Sequence, residues 1–142
     1  SICVSKGHKT TANILKRKAF TVSMAEAGQV VACDYVGIVS GNKVADKFAR
    51  AGFHATRSEF VDAPLIDELS VAMECRLKDY NPETSILRGE IVNVSVDERV
   101  LGENGKVDAS KVVPIIFDPF NNDYLKVGEK VGNAFSDGKI LK

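Results

Sequence analysis

Residues 71–80 constrain the fold most. Apolar Val71, Met73, Cys75 and Leu77 alternate there with Glu74, Arg76 and Lys78. A period of two marks a strand whose two faces differ, with the apolar set on one face and the charged set on the other. Asn81-Pro82-Glu83-Thr84 supplies turn chemistry. Residues 85–97 then return through Ile91-Val92-Asn93-Val94-Ser95-Val96, and the two runs predict a long antiparallel hairpin. Gly89, inside the returning run, implies a bulge or the close approach of another backbone. No crossover helix follows the hairpin, which argues against a doubly wound parallel sheet.

The flanking chain supplies more strands and a few short helices. Residues 1–5 and 19–24 alternate as strands around a short amphipathic helix over 10–18, with Ile14 and Leu15 turned inward. Val31, Tyr35 and Ile38 give residues 29–39 a helical spacing with an apolar face, which Ser40-Gly41-Asn42 ends. Val44 and Phe48 predict a second helix over 43–51, closed by Gly52 at its C′ position. Residues 53–60 read as irregular and extended, and Pro64 keeps 62–66 a loop. Asp108 is a candidate N-cap, residues 114–117 a short strand, 118–123 a turn bearing Phe120, and 134–142 a tail. The pattern is mainly β with inserted short helices, an antiparallel barrel with appended helices. All 142 residues read as one domain, and 44% hydrophobic with 27% charged residues excludes a disordered chain. The sequence opens without Met inside an apolar alternation, so upstream strands are expected to be missing.

The stretch most suggestive of chemistry is Ser5-Lys6-Gly7-His8-Lys9-Thr10-Thr11, between the first strand and the first helix. A helix start presents free N–H groups and the positive end of the dipole, which suits a phosphate. Threonine is also an ordinary N-cap. Residues 1–25 carry Lys6, Lys9, Lys16, Arg17 and Lys18 and no acidic residue, although the whole chain is neutral. Lys16 to Lys18 match the C-terminal end of the dipole, whereas Lys6 and Lys9 oppose the N-terminal end unless an anion lies between them.

Other chemistries lack their signatures. The first glycine of a P-loop is absent, and His8 separates Gly7 from Lys9. Neither a dinucleotide fingerprint nor a nucleophile elbow occurs. Three widely spaced cysteines and two separate histidines give no zinc, iron–sulfur or disulfide framework. Cys3 and Cys75 read as small buried residues, and the thiols fit a reducing cytoplasm. Asp62, Asp67 and Glu68 read as a solvated loop rather than a carboxylate cluster. No membrane span or signal peptide appears. Zero net charge and three tyrosines argue against nucleic-acid binding by an OB-type barrel. A redox cofactor carries its own chemistry and needs no visible protein acid or nucleophile, which accords with an anion loop and no catalytic dyad.

Several stretches together resemble the flavin reductase-like, FMN-binding split-barrel family, in its flavoredoxin-like branch. They are residues 5–14, Phe20-Thr21-Val22-Ser23-Met24, Cys33-Asp34-Tyr35-Val36-Gly37, Val39-Ser40-Gly41, Asp46-Lys47-Phe48, Ala63-Pro64-Leu65-Ile66, Gly89-Glu90-Ile91-Val92 and residues 125–132. The resemblance implies a Greek-key split β-barrel and a homodimer with FMN near the subunit interface. It implies that the loop holding Ser5, Lys6, His8, Lys9, Thr10 and Thr11 binds the FMN phosphate, with Thr11 and Lys6 leading. Ser40 and Lys47 would approach the flavin, and Phe120, or else Phe117, would pack near its ring. Lys47 beside Asp46 also reads as an exposed charge couple.

The chain departs from the family in two ways. Relatives carry a further N-terminal segment that contacts the flavin, and they often place a histidine where this chain has Ile86-Leu87-Arg88. The implied activity is that of an FMN-dependent oxidoreductase taking hydride or electrons from NADH, NADPH or a redox partner protein. The alternative is a non-catalytic flavin-binding or interaction protein on the same dimer scaffold.

Overall fold

The computed structural model describes residues 1–141. The predicted hairpin is its spine, with β5 (Val71–Asn81) and β6 (Ile86–Val96) antiparallel over 11 residues each. Two short strands flank it: β1 (Ile2–Cys3) pairs with β6, and β2 (Ala19–Ser23) pairs with β5. The sheet order is β1-β6-β5-β2, so β1 and β2 form its two edges. The first strand is shorter than its 1–5 pattern, and Cys3 is exposed rather than buried.

Helix α1 (Lys9–Arg17) joins β1 to β2 and lies on one face of the sheet. Its inward residues are Thr11 and Ile14, whereas Leu15 is partly exposed. Spacing of three, not adjacency, puts two side chains on one helix face. Ile14 meets Phe20, Cys75 and Leu87 in the main apolar cluster. Phe20 packs against Gly89, where a Cβ would come 2.5 Å from the Cζ of its ring. The expected bulge is present on the facing strand, where Lys78 is left unpaired between Leu77 opposite Gly89 and Asp79 opposite Arg88. Besides the Phe20 ring, the Arg76 carbonyl lies 3.3 Å from a Cβ placed on Gly89.

The opposite face of the sheet, which carries Glu74 as alternation predicts, is also covered. Glu74 is fully buried, not solvent-facing. Alternation holds here, with Ala72 and Glu74 on this face and Cys75 on the other, and all three are buried because both faces are covered. Register shifts lie between Glu74 and Cys75 and between Leu77 and Asp79. The cover over Glu74 is the turn that links β3 (Ala55–Arg57) to β4 (Pro64–Ile66), a small hairpin. Pro64 thus opens a short strand instead of a loop, a position that needs no ladder N–H from it. Thr21 Oγ1 donates to the Pro64 carbonyl at 2.6 Å and fastens this hairpin to β2.

The remaining elements lie to one side. Helix α2 (Val30–Ile38) follows a single 3₁₀ turn at Ala27–Gln29. Its expected apolar face is not buried, and Val31 and Ile38 are exposed. Helix α3 is confined to Lys47–Arg50, because Lys43 and Val44 spend their N–H groups on the Ser40 carbonyl in turns. Gly52 follows it with φ +76°, as a C′ glycine does. Helix α4 (Ala109–Val112) is capped by Asp108, which accepts from Ser110 N. Strands β7 (Ile115–Asp118) and β8 (Asp123–Lys126) form a terminal hairpin, and residues 137–141 turn once more in 3₁₀ form.

Candidate functional site

The loop between β1 and α1 is closed on itself. His8 N donates to the Ser5 carbonyl at 3.1 Å, and Thr11 Oγ1 donates to the same oxygen at 2.7 Å. Thr11 is 1% exposed. Its hydroxyl proton is therefore spent inside the loop, and its part is to set the loop's shape. Thr10, the other threonine of the first turn, is exposed.

The helix start is left open. His8 is the N-cap residue and makes no side-chain cap, and the first turn carries no acid. The first intrahelical bond runs from Ala12 N to the His8 carbonyl. The amides of Lys9, Thr10 and Thr11 find no acceptor among the described residues. Ser5, Lys6, His8 and Lys9 are exposed around them, and neither lysine joins an ion pair among the described residues. Three unpartnered amides ringed by unpaired cations suit an anionic group of phosphate size.

A second segment comes to this loop from 35 residues away in sequence. Asn42 Nδ2 donates to the Gly7 carbonyl at 2.9 Å. A Cβ on Gly41 would sit 3.3 Å from Lys9 Cβ and 3.6 Å from Lys47 Cε, so the 40–42 backbone packs between two lysine stems. Ser40 Oγ accepts from Asn42 N at 3.3 Å. Lys47 Nζ donates to the Val36 and Val39 carbonyls at 2.8 and 2.9 Å. Those carbonyls belong to the unsatisfied C-terminal end of α2, where a cation also meets the dipole. Two of the three ammonium protons of Lys47 are therefore committed to the backbone. The fold thus brings together Ser40, Lys47 and the 5–11 loop. Asn42 escaped sequence reasoning because an Asn after Ser-Gly reads simply as a turn former.

Beside α1 a cleft of ≈ 750 Å³ opens toward β2 and the β3–β4 hairpin. Ile14, Ala19, Phe20 and Ala63 give it an apolar floor, and Thr10 stands at one end. Arg17, about 10 Å further along the helix axis, and Arg57 lie against Asp62 at 2.9 and 3.8 Å. Asp62 is thus engaged by arginines. Glu68 accepts from His54 N and pairs with His54 Nδ1, which raises the imidazole pKa.

Phe120 stands apart from this assembly, 90% exposed at the tip of the β7–β8 turn. That hairpin touches α2 through Tyr124 Oη, which donates to Asp34 Oδ1 at 2.9 Å. Phe117 packs on Tyr124 with ring centroids 5.8 Å apart. Among the described residues, no cluster of three or more His, Cys, Asp or Glu could hold a metal, and no helix is long and apolar enough to cross a membrane.

A curled antiparallel sheet, one helix laid across it and an uncapped helix start with free N–H groups define a mainly β protein of barrel type. The chain belongs to the flavin reductase-like family: the model for the flavin reductase like domain matches residues 1–117. It falls in the flavoredoxin branch. The solved flavoredoxin of Desulfovibrio vulgaris (Miyazaki F) is similar at 40% identity and TM-score 0.89, over 96% of this chain and 73% of that one. The flavoredoxin from Methanosarcina acetivorans is similar at 31% identity and TM-score 0.87, over 99% of this chain and 75% of that one. An uncharacterized protein of Aquifex aeolicus (strain VF5) is 32% identical over 108 residues, 75% of this chain and 55% of that protein. The chain thus spans little more than half of that curated relative. Its architecture is that of the split-barrel proteins, mainly β with few short helices.

Proposed function

We propose that this chain is the flavin-binding part of a flavoredoxin-type oxidoreductase, with FMN as its cofactor and its phosphate at the start of α1. One observation carries the reading: the helix start has three unpartnered amides, no cap and no acid, and lies among Lys6, His8 and Lys9. The cations neutralise the phosphate and the amides of Lys9, Thr10 and Thr11 donate to it. Thr11 holds the Ser5 carbonyl in its turn, which keeps an acceptor fixed away from the phosphate. Thr10, exposed at the end of the adjoining cleft, offers a hydroxyl. The apolar floor of that cleft keeps water from a planar ring. Lys47 adds positive charge through the 40–42 segment and keeps one N–H to donate.

Bound flavin supplies the hydride and electron chemistry itself. NADH, NADPH or a redox partner protein delivers the electrons. Exposed Ile91 and Val94 on β6, with Val31 and Ile38 on α2, suit a homodimer interface. The three free thiols suit a cytoplasmic setting.

Titration with FMN, followed by quenching of flavin fluorescence, tests the binding. Tighter binding of FMN than of riboflavin is expected, because only FMN carries the phosphate. Equal affinity for the two, or no quenching, would overturn the site. Oxidation of NADH or NADPH by the flavin-loaded protein then tests the activity. Flavin binding without turnover, even with a donor-protein system added, would make the chain a flavin carrier rather than a reductase.

A further inference from the structure

We propose that Asn42 sets the preference for phosphorylated over unphosphorylated flavin, as a positioning residue that does not itself touch the phosphate. The proposal rests on the phosphate site assigned above to the start of α1. The peptide between Gly7 and His8 is held at both ends. Its carbonyl accepts from Asn42 Nδ2 at 2.9 Å, and its N–H donates to the Ser5 carbonyl at 3.1 Å. This peptide immediately precedes the amides of Lys9, Thr10 and Thr11, so its plane fixes where those three N–H groups converge. Gly7 has no neighbour within 4 Å of its Cβ position. Local packing on that side leaves the peptide plane unrestrained, and glycine itself resists rotation least. The Asn42 bond is the side-chain restraint on that carbonyl.

Asn42 is itself anchored. Ser40 Oγ accepts from its N–H, and the Ser40 carbonyl takes the N–H groups of Lys43 and Val44. Lys47 fixes the preceding backbone by binding the Val36 and Val39 carbonyls. Gly41 lets the segment pass within ordinary contact of Lys9, where a Cβ would already be tight at 3.3 Å. The 40–42 turn is thus braced from two sides, and its only side-chain hydrogen bond to the anion loop is the one from Asn42.

Asn42→Ala is the test, with FMN and riboflavin titrated separately against the flavin-free full protein by fluorescence quenching. Loss of one exposed neutral hydrogen bond is expected to weaken FMN roughly fivefold. Riboflavin affinity is expected to stay as it is, so the FMN-to-riboflavin ratio falls by that factor. Asn42→Leu keeps a similar side-chain shape and adds no charge but has no donor for the Gly7 carbonyl. Its ratio is expected to fall by the same factor, and it serves as the readout if the alanine variant does not fold. An unchanged ratio in both variants would overturn the role of Asn42. Equal weakening of both ligands would also overturn it, because that is the mark of general loosening. If the unmodified protein itself shows no FMN preference, the phosphate site fails instead, which keeps the two failures separate.

Discussion

Replacing Glu74 by Gln changes one atom of a buried side chain and probes how the cleft wall is held. Glu74 Oε2 accepts from Ser58 Oγ, and Oε1 accepts from Asn93 Nδ2 at 2.7 Å and from Ser95 Oγ. Ser58 Oγ in turn accepts from Phe60 N and Val61 N, both at 3.0 Å. A glutamine oxygen can keep Asn93 and Ser95. Its NH₂ group then faces Ser58 Oγ, whose two lone pairs are already taken, and the hydroxyl proton of Ser58 loses its acceptor. One bond to a charged group is lost, worth about 1.5–3 kcal/mol. Urea unfolding should show that loss as a lower midpoint with an unchanged slope.

The pH dependence of Glu74→Gln supplies an independent check. Burial pushes the Glu74 carboxyl pKa up, but the hydrogen bonds from Ser58, Ser95 and Asn93 outweigh it, and the net shift is downward. A carboxyl depressed in the folded state contributes stability that is complete above its unfolded pKa and lost as pH falls through its folded pKa. The gap between wild type and Glu74→Gln should therefore be full at neutral pH and close in acid. A glutamine variant as stable as wild type within about 0.5 kcal/mol at neutral pH, or a gap that persists undiminished in acid, would refute the ionised, fully donated Glu74 described here.

Two further substitutions probe the sheet and the anion loop. Gly89→Ala drives a methyl to 2.5 Å from the Phe20 ring, and overpacking of this kind costs about 1–3 kcal/mol, readable as a lower thermal midpoint. Thr11→Val removes the donor to the Ser5 carbonyl. It should cost about 0.5–1.5 kcal/mol, since that oxygen keeps the His8 N–H, and it should weaken FMN more than riboflavin in the same titration.

The hairpin of residues 71–97 was legible because alternation over ten residues specifies a strand without help from the rest of the chain. The Asp108 cap and the Gly52 helix end were legible for the same reason, since each depends on bonds within a few residues. Short elements were not. Pro64–Ile66 became a strand because Ala55–Arg57 lies beside it, and Lys43 and Val44 stayed in turns because the Ser40 carbonyl collected their amides. Neither outcome is written in local spacing.

The chain's own sequence determined a mainly antiparallel β protein, a family, and a basic loop at a strand-to-helix junction, since period, turn chemistry and charge are local properties. Tertiary structure decided what each residue of that loop does. Packing of α1 on the sheet turned Thr11 inward and left Thr10 out, while chain reversal brought Asn42 and Lys47 against a loop 35 and more residues distant. It also decided that Glu74 is buried, because a turn covers the face on which alternation puts it. Partners of a hydrogen bond that are far apart in sequence carry no local signal, so only the folded chain reveals which polar groups are spent and which remain free to bind.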